Sequence, residues 1–406
     1  MTEPASVSMV AVGDIQLHGA YHDAARKGNA ASLFNDLKDL IGGSDVGVGN
    51  METVLAHGGS PREDKLCLLG DPLYAAVLRD AGLSLLTLAN NHALDYGREG
   101  LAETLEHLSR AGIDSLGAGA DLASALRPLI REHAGVRLGF IGACHESTKP
   151  VLAAAPSDPG AAPLTEETLW PVIDALRAEV DHVVLLLHWG LEYAHFPTPE
   201  QVALAHAAVD RGVSLILGAH SHSLQGIERY KDALIAYSLA NLTDAPVDWQ
   251  GPTRHFRCDV GEVDRESVLL RLSATKTRIQ LDEIVPLWLD DGGRPTAATG
   301  ERAEKILAAV ERYSARLQAG DLERYWRETV IDSRVTGPLT SWWRDGSLLD
   351  KVRNFRPSQL VTAWILLATW LRIRFSRAES RWMLFSSRND ERPMPRARRE
   401  DPPKSP

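Results

Sequence analysis

The chain has 406 residues, 44% of them hydrophobic and 24% charged, with a formal net charge of −10. That length allows two or three domains, or one large α/β domain with an appendage, and the balance is that of a globular protein. The acidic charge argues against a general nucleic-acid binder, and the three widely spaced cysteines, Cys67, Cys144 and Cys258, give neither a disulfide framework nor a paired metal spacing.

This cysteine usage makes a reducing cytoplasm the default expectation. No basic segment followed by an apolar one opens the chain, so no secretion signal is predicted. Residues 7–12 read as a short buried strand ending at Gly13-Asp14. Residues 30–41 have helical spacing and stop at Gly42-Gly43. A second strand covers 46–48 and runs into Asn50-Met51-Glu52. A helix is expected over 72–81, then a strand over 83–88 ending in Asn90-Asn91-His92, then an amphipathic helix over 100–112.

Residues 137–142 read as a strand, and 153–163, rich in Ala, Pro and Gly, as a surface loop able to cover a site. A helix over 169–179 precedes a strongly apolar strand, 183–187, that ends in His188. A helix over 198–210 then leads to a strand over 213–217 and to Gly218-Ala219-His220-Ser221-His222. Strands alternating with helices imply a layered α/β fold. From about Leu234 the pattern changes: strands at 234–239, 268–272 and 277–281 follow without helices, which suggests a second, antiparallel layer. A helix over 301–317 closes this region.

The polar clusters sit just after apolar strands, where ligands bind in α/β sheets. His220 and His222, one residue apart at a strand end, are expected to point the same way because strand side chains repeat with period two. With Asp14, Glu52, Asn91 and His188 they offer a mixed nitrogen and oxygen donor set. Such a set suits Mn, Fe, Zn or Co better than a structural thiolate site does. Taken singly, each residue has a plainer reading: an Asp or Asn after a strand is usually a turn residue, and a histidine after an apolar run is usually a core residue. His18, His22, His145 and His195 also lie near strand ends.

Gly13-Asp14, Asn50-Met51-Glu52, Asn90 to Gly97 (NNHALDYG), His188 to Tyr193 (HWGLEY), Gly218 to His222 and Tyr237 to Asn241 resemble, in order, the motifs of the poly-gamma-glutamate synthesis or capsule biosynthesis (CapA) family. The resemblance covers about residues 7–317. It implies a four-layer α/β/β/α sandwich similar to calcineurin-like metallophosphoesterases, with a dinuclear site of two divalent cations (Mn, Fe or Zn). It implies metal ligands at Asp14, Gln16, Glu52, Asn91, His188, His220 and His222, with Glu52 in the bridging position and His92 as the catalytic histidine. Gln16 stands where many metallophosphoesterases carry a His ligand, which implies weaker binding of one metal or binding through the Gln oxygen. Ala240-Asn241-Leu242 stands where Gly-Asn-Phe is usual.

Asp95 is expected to orient His92, and Glu192, Tyr193 and His145 to meet substrate. The expected activity is metal-dependent hydrolysis of a phosphoester or a glutamyl-type small molecule or polymer. The alternative is a non-catalytic accessory protein that binds a polyglutamate-like polymer or a synthetase partner. The domain expectation is 1–318 for the catalytic unit, 319–385 for a Trp/Arg-rich helical extension and 386–406 for a disordered tail. The extension's apolar run, 360–371, is too short to span a bilayer. Arg372, Arg374, Arg377 and Arg381 leave peripheral membrane contact open, beside packing on the core.

Overall fold

A computed structural model describes residues 5–148, 151–250, 255–258 and 260–326. The expected C-terminal extension beyond Trp326 and the tail lie outside the described residues.

The first half builds the parallel part of one sheet. Its strands are β1 (Val7–Ile15), β2 (Val46–Met51), β3 (Leu85–Thr87) and β4 (Asp114–Leu116). Between them run α1 (Ala20–Arg26), a short 3-10 turn (Ala30–Phe34), α2 (Asn35–Ile41), α3 (Tyr74–Asp80) and α4 (Gly97–Arg110). The single helix expected over 30–41 is thus split at Phe34. The second sheet holds β5 (Leu129–His133), β6 (Val136–Cys144), β7 (His182–His188), β8 (Val213–Ala219), β9 (Ile227–Tyr230) and β10 (Ala233–Ala236). Its crossover helices are α5 (Glu166–Leu176) and α6 (Pro199–Asp210). α6 starts on a reciprocal cap: the Gln201 N–H donates to Thr198 Oγ1 (3.2 Å) and the Thr198 N–H donates to Gln201 Oε1 (2.9 Å). The chain then adds β11 (Asn241–Thr243), β12 (Glu266–Ala274), β13 (Ile279–Leu289), β14 (Pro295–Ala297) and α7 (Gly300–Gln318).

The first sheet has the order β14-β13-β12-β1-β2-β3-β4, with β11 also pairing β1. The second has the order β9-β10-β8-β7-β6-β5. Alternating side chains serve two faces. Met9, Ala11, Val184 and Leu186 pack between the sheets, while Val10 and Val12 meet α2 to α4 and Val183, Leu185 and Leu187 meet α5 and α6. Burial on both faces is why these strands read as unbroken apolar runs. The result is the four-layer α/β/β/α sandwich that the resemblance implies.

Two sequence expectations need correction. The strands after Leu234 do not form a separate antiparallel layer. β10 joins the second sheet parallel to β8, because β9 runs back along the edge and a turn at Lys231 (φ 52°) returns the chain into the gap. β12 and β13 extend the first sheet antiparallel to β1. The segment 153–163 is not wholly a surface loop either: Gly160–Ala161 pairs with Ala118–Gly119, and Ala162 is buried, its carbonyl accepting from the Cys144 N–H. Among the described residues, no helix is long and apolar enough to cross a membrane.

Candidate metal centre

The carboxyl ends of β1, β2, β3, β7 and β8 converge on one buried polar cluster. Asp14 lies near the end of β1, opposite Asn50 in β2 and Asn241 in β11. Gly13 makes this possible. A Cβ there would sit 1.8 Å from the Ala240 carbonyl oxygen, to which the Asp14 N–H donates at 2.9 Å. Ala240 itself is left-handed (φ 61°), the conformation glycine adopts most readily.

Glu52 follows β2 and is 1% exposed; His188 closes β7 and is fully buried. One Glu52 oxygen, Oε2, accepts from Gln16 Nε2 at 3.0 Å. The other, Oε1, has no hydrogen-bond donor. It faces His188 Nε2 at 3.4 Å and His222 Nε2 at 3.8 Å. Glu52, His220 and His222 bring one donor atom each to within 4.8 Å of one another. Burial pushes the Glu52 carboxyl up to about 8, with Asp14 adding to the rise. Burial alone would lower His222, but Glu52 and Asp14 hold it well above its ordinary value. Burial and the neighbouring His220 and His222 press His188 well below.

The two histidines after β8 do not converge by strand alternation, as expected from the sequence. β8 stops at Ala219, and His220 (φ 91°) and His222 (φ 53°) are both left-handed. Such backbone costs on the order of 1–3 kcal/mol per residue. The His220 N–H donates to Asp14 Oδ2 at 3.0 Å, which ties the turn to the first sheet. Asn50, part of a motif in the sequence but given no role there, sends its amide to Asp14 Oδ1 (2.7 Å) and to His188 Nδ1 (3.2 Å). Asn91 Oδ1 lies 2.9 Å from His188 Nε2.

His92 stands beside this cluster. Its Nδ1 is 2.6 Å from Asp95 Oδ2, and Asn90 Oδ1 accepts from its backbone N–H at 3.0 Å. Burial lowers the imidazole pKa despite Asp95. Burial alone would raise Asp95, but His92 and Lys65 hold its carboxyl below the ordinary range. Lys65 was also missed, since it sits in an irregular loop with no periodic signal.

The three expected substrate residues lie near this cluster. Tyr193, 43% exposed, places its ring 6.0 Å from that of His222. Glu192 is half-buried and acts electrostatically on both Glu52 and His222. His145 follows β6; its N–H donates to the His188 carbonyl at 2.9 Å, while its ring turns to Ser147, whose N–H lies 3.1 Å from Nδ1. The Gln16 oxygen does not face the cluster: His18 Nε2 holds it at 3.2 Å.

The donor set fits a divalent cation. A buried carboxylate oxygen with no hydrogen-bond donor, close to imidazole nitrogens, is a borderline-metal site in its chemistry.

Residues 8–245 match the family model described as bacterial capsule synthesis protein PGA_cap. The PGA biosynthesis protein CapA of Bacillus subtilis is 32% identical over 279 residues, covering 68% of this chain and 70% of that protein. The capsule biosynthesis protein CapA of Bacillus anthracis is 29% identical over 298 residues, covering 71% and 69%. A probable polyglutamine synthesis accessory protein of Mycobacterium tuberculosis is 32% identical over 230 residues, covering 53% and 60%. Among solved structures, a phosphatase from Mycoplasma pneumoniae is similar with a TM-score of 0.45 at 15% identity, covering 71% of this chain and 95% of that one.

Proposed function

The chain belongs to the bacterial capsule synthesis (PGA_cap) family, and we propose that it is a metal-dependent hydrolase acting on a phosphoester or glutamyl-type substrate. The observation that carries this reading is Glu52 Oε1, buried without a hydrogen-bond donor beside His188 and His222. Glu52, His220 and His222 would hold the cation. When bound, it supplies Lewis acidity and an activated water.

The chain's own groups do the rest. Asp95 accepts from His92 Nδ1, so the neutral imidazole keeps Nε2 as its proton acceptor. That atom can take a proton from the attacking water and return it to the leaving oxygen. Asn91 and Asn50 fix the His188 ring that walls the site. Tyr193 and Glu192 meet the substrate at the mouth.

The test is turnover by Mn- or Zn-loaded protein on a panel of phosphomonoesters, phosphodiesters and glutamyl peptides. His92→Ala should lower turnover by about 10²–10⁴-fold with metal content intact. No turnover across the panel with metal still bound would sink the enzyme reading.

A second reading has support in the accessory role named for the mycobacterial relative. The same pocket would then bind a polyglutamate chain or a synthetase partner without cleaving it. Polyglutamate binding that His92→Ala leaves unchanged, with no turnover, would favour it.

A further inference from the structure

Resting on the hydrolase reading, we infer that Lys65 is a positioning residue for the reaction, acting through Asp95 and the Asn91 main chain to hold the His92 ring in one orientation. The His92 backbone is fixed on both sides. Its N–H donates to Asn90 Oδ1 at 3.0 Å, and its carbonyl accepts from the Asp95 N–H at 3.1 Å. What this leaves open is the turn of the imidazole about its side-chain bonds. Asp95 Oδ2, 2.6 Å from Nδ1, sets that turn.

Asp95 is in turn held by the loop of residues 62–68. Its carbonyl accepts from the Arg62 N–H at 2.9 Å, and its Oδ2 from the Leu68 N–H at 2.6 Å. The Lys65 ammonium meets Oδ1 at 2.7 Å, and both side chains are buried. Of these three groups only Lys65 brings a charge to the carboxylate. The same ammonium donates to the Asn91 carbonyl at 2.7 Å. It therefore grips both the residue before His92 and the carboxylate that orients the ring. With the Nδ1 hydrogen given to Asp95, the 3.1 Å approach of Lys65 to that nitrogen is a contact between two donors drawn onto one carboxylate.

Removing the ammonium leaves a buried carboxylate without its counter-charge. Such a group turns away, takes up a proton or draws in water. Each of these loosens the hold on the imidazole, so Nε2 no longer points in one fixed direction. A misplacement of about 1 Å at a reacting group costs about 10²-fold in rate. The groups that Lys65 holds are Asp95 and Asn91, not Glu52, His220 or His222, so metal loading should stay as it is.

The experiment is a double-mutant cycle on turnover by Mn-loaded protein, with p-nitrophenyl phosphate, bis-p-nitrophenyl phosphate and γ-glutamyl p-nitroanilide as probes. The good leaving groups of the two phosphoesters keep the His92→Ala rate measurable. Lys65→Met should lower kcat about 10²-fold, with KM and metal content unchanged. In a His92→Ala background the same substitution should change kcat by no more than about twofold, because the ring it positions is gone. A merely structural role would lower kcat by the same factor in both backgrounds. That result, or wild-type kcat in Lys65→Met, would overturn the inference while leaving the hydrolase reading intact. Lys65→Gln, which keeps a donor for the Asn91 carbonyl, goes through the same cycle should Lys65→Met not fold. No turnover of any probe by the wild type would overturn both.

Discussion

The Lys65 ammonium sits 2.7 Å from Asp95 Oδ1, with 6% and 0% of their side chains exposed. The same nitrogen donates to the Asn91 carbonyl at 2.7 Å and lies 3.1 Å from His92 Nδ1. One buried cation therefore holds the loop, the carboxylate and the neutral imidazole in a single arrangement. Removing one partner of such a pair strands the other charge.

Lys65→Met should therefore lower unfolding stability by about 3 kcal/mol. The double variant with Asp95→Asn should lose clearly less than the sum of the single losses. Urea unfolding of the four proteins reads the coupling. Additive losses would show that Lys65 and Asp95 do not act as a pair.

Metal-free protein should become less stable as pH rises. Glu52, pushed up to about 8, and His222, held well above its ordinary value, both keep protons that the unfolded chain has lost. The native state then binds more protons, so stability falls between about pH 6.5 and the folded Glu52 value. His188, pressed low, contributes in the opposite sense only below about pH 6.5. Thermal scans in EDTA should show Tm dropping across this window. Added Mn should raise Tm most at the alkaline end, where fewer protons compete for Glu52. A Tm in EDTA that climbs with pH would contradict this account.

Gly13→Ala would place a Cβ 1.8 Å from a backbone oxygen that cannot swing aside. The expected cost is about 3 kcal/mol or more, at the upper end for overpacking. Because the clash displaces Asp14, metal content should fall along with stability. Wild-type stability and metal load in this variant would show that the β1 approach to Ala240 is slack.

Cys67 and Cys144 are free and buried, and burial pushes both thiols up to about 12. At pH 8 only about one molecule in ten thousand would carry the thiolate at either position. Peptide mapping after maleimide treatment should find neither labelled in the native protein and both labelled in urea. Native labelling at either residue would show that its region opens readily.

Much of the metal centre could be read from the amino-acid order alone. Asp14, Glu52, Asn91, His188 and His220 each follow an apolar strand, and parallel strands bring such residues to one edge whatever the loops between them do. The layered α/β class followed from the same alternation. What the order of residues left open was which atom faces which. Gln16 and His222 are 206 positions apart, and only their meeting across the two sheets turns the Gln16 amide nitrogen, not its oxygen, toward Glu52. His220 and His222 converge through left-handed backbone rather than strand alternation. Lys65, in a loop without periodicity, becomes a partner of Asp95 only once α4 and its preceding turn are packed. A sequence pattern carries the period and ends of elements, because backbone geometry imposes them locally. Donor and acceptor pairing is decided by the packed tertiary structure, where a buried polar atom left without a partner is costly.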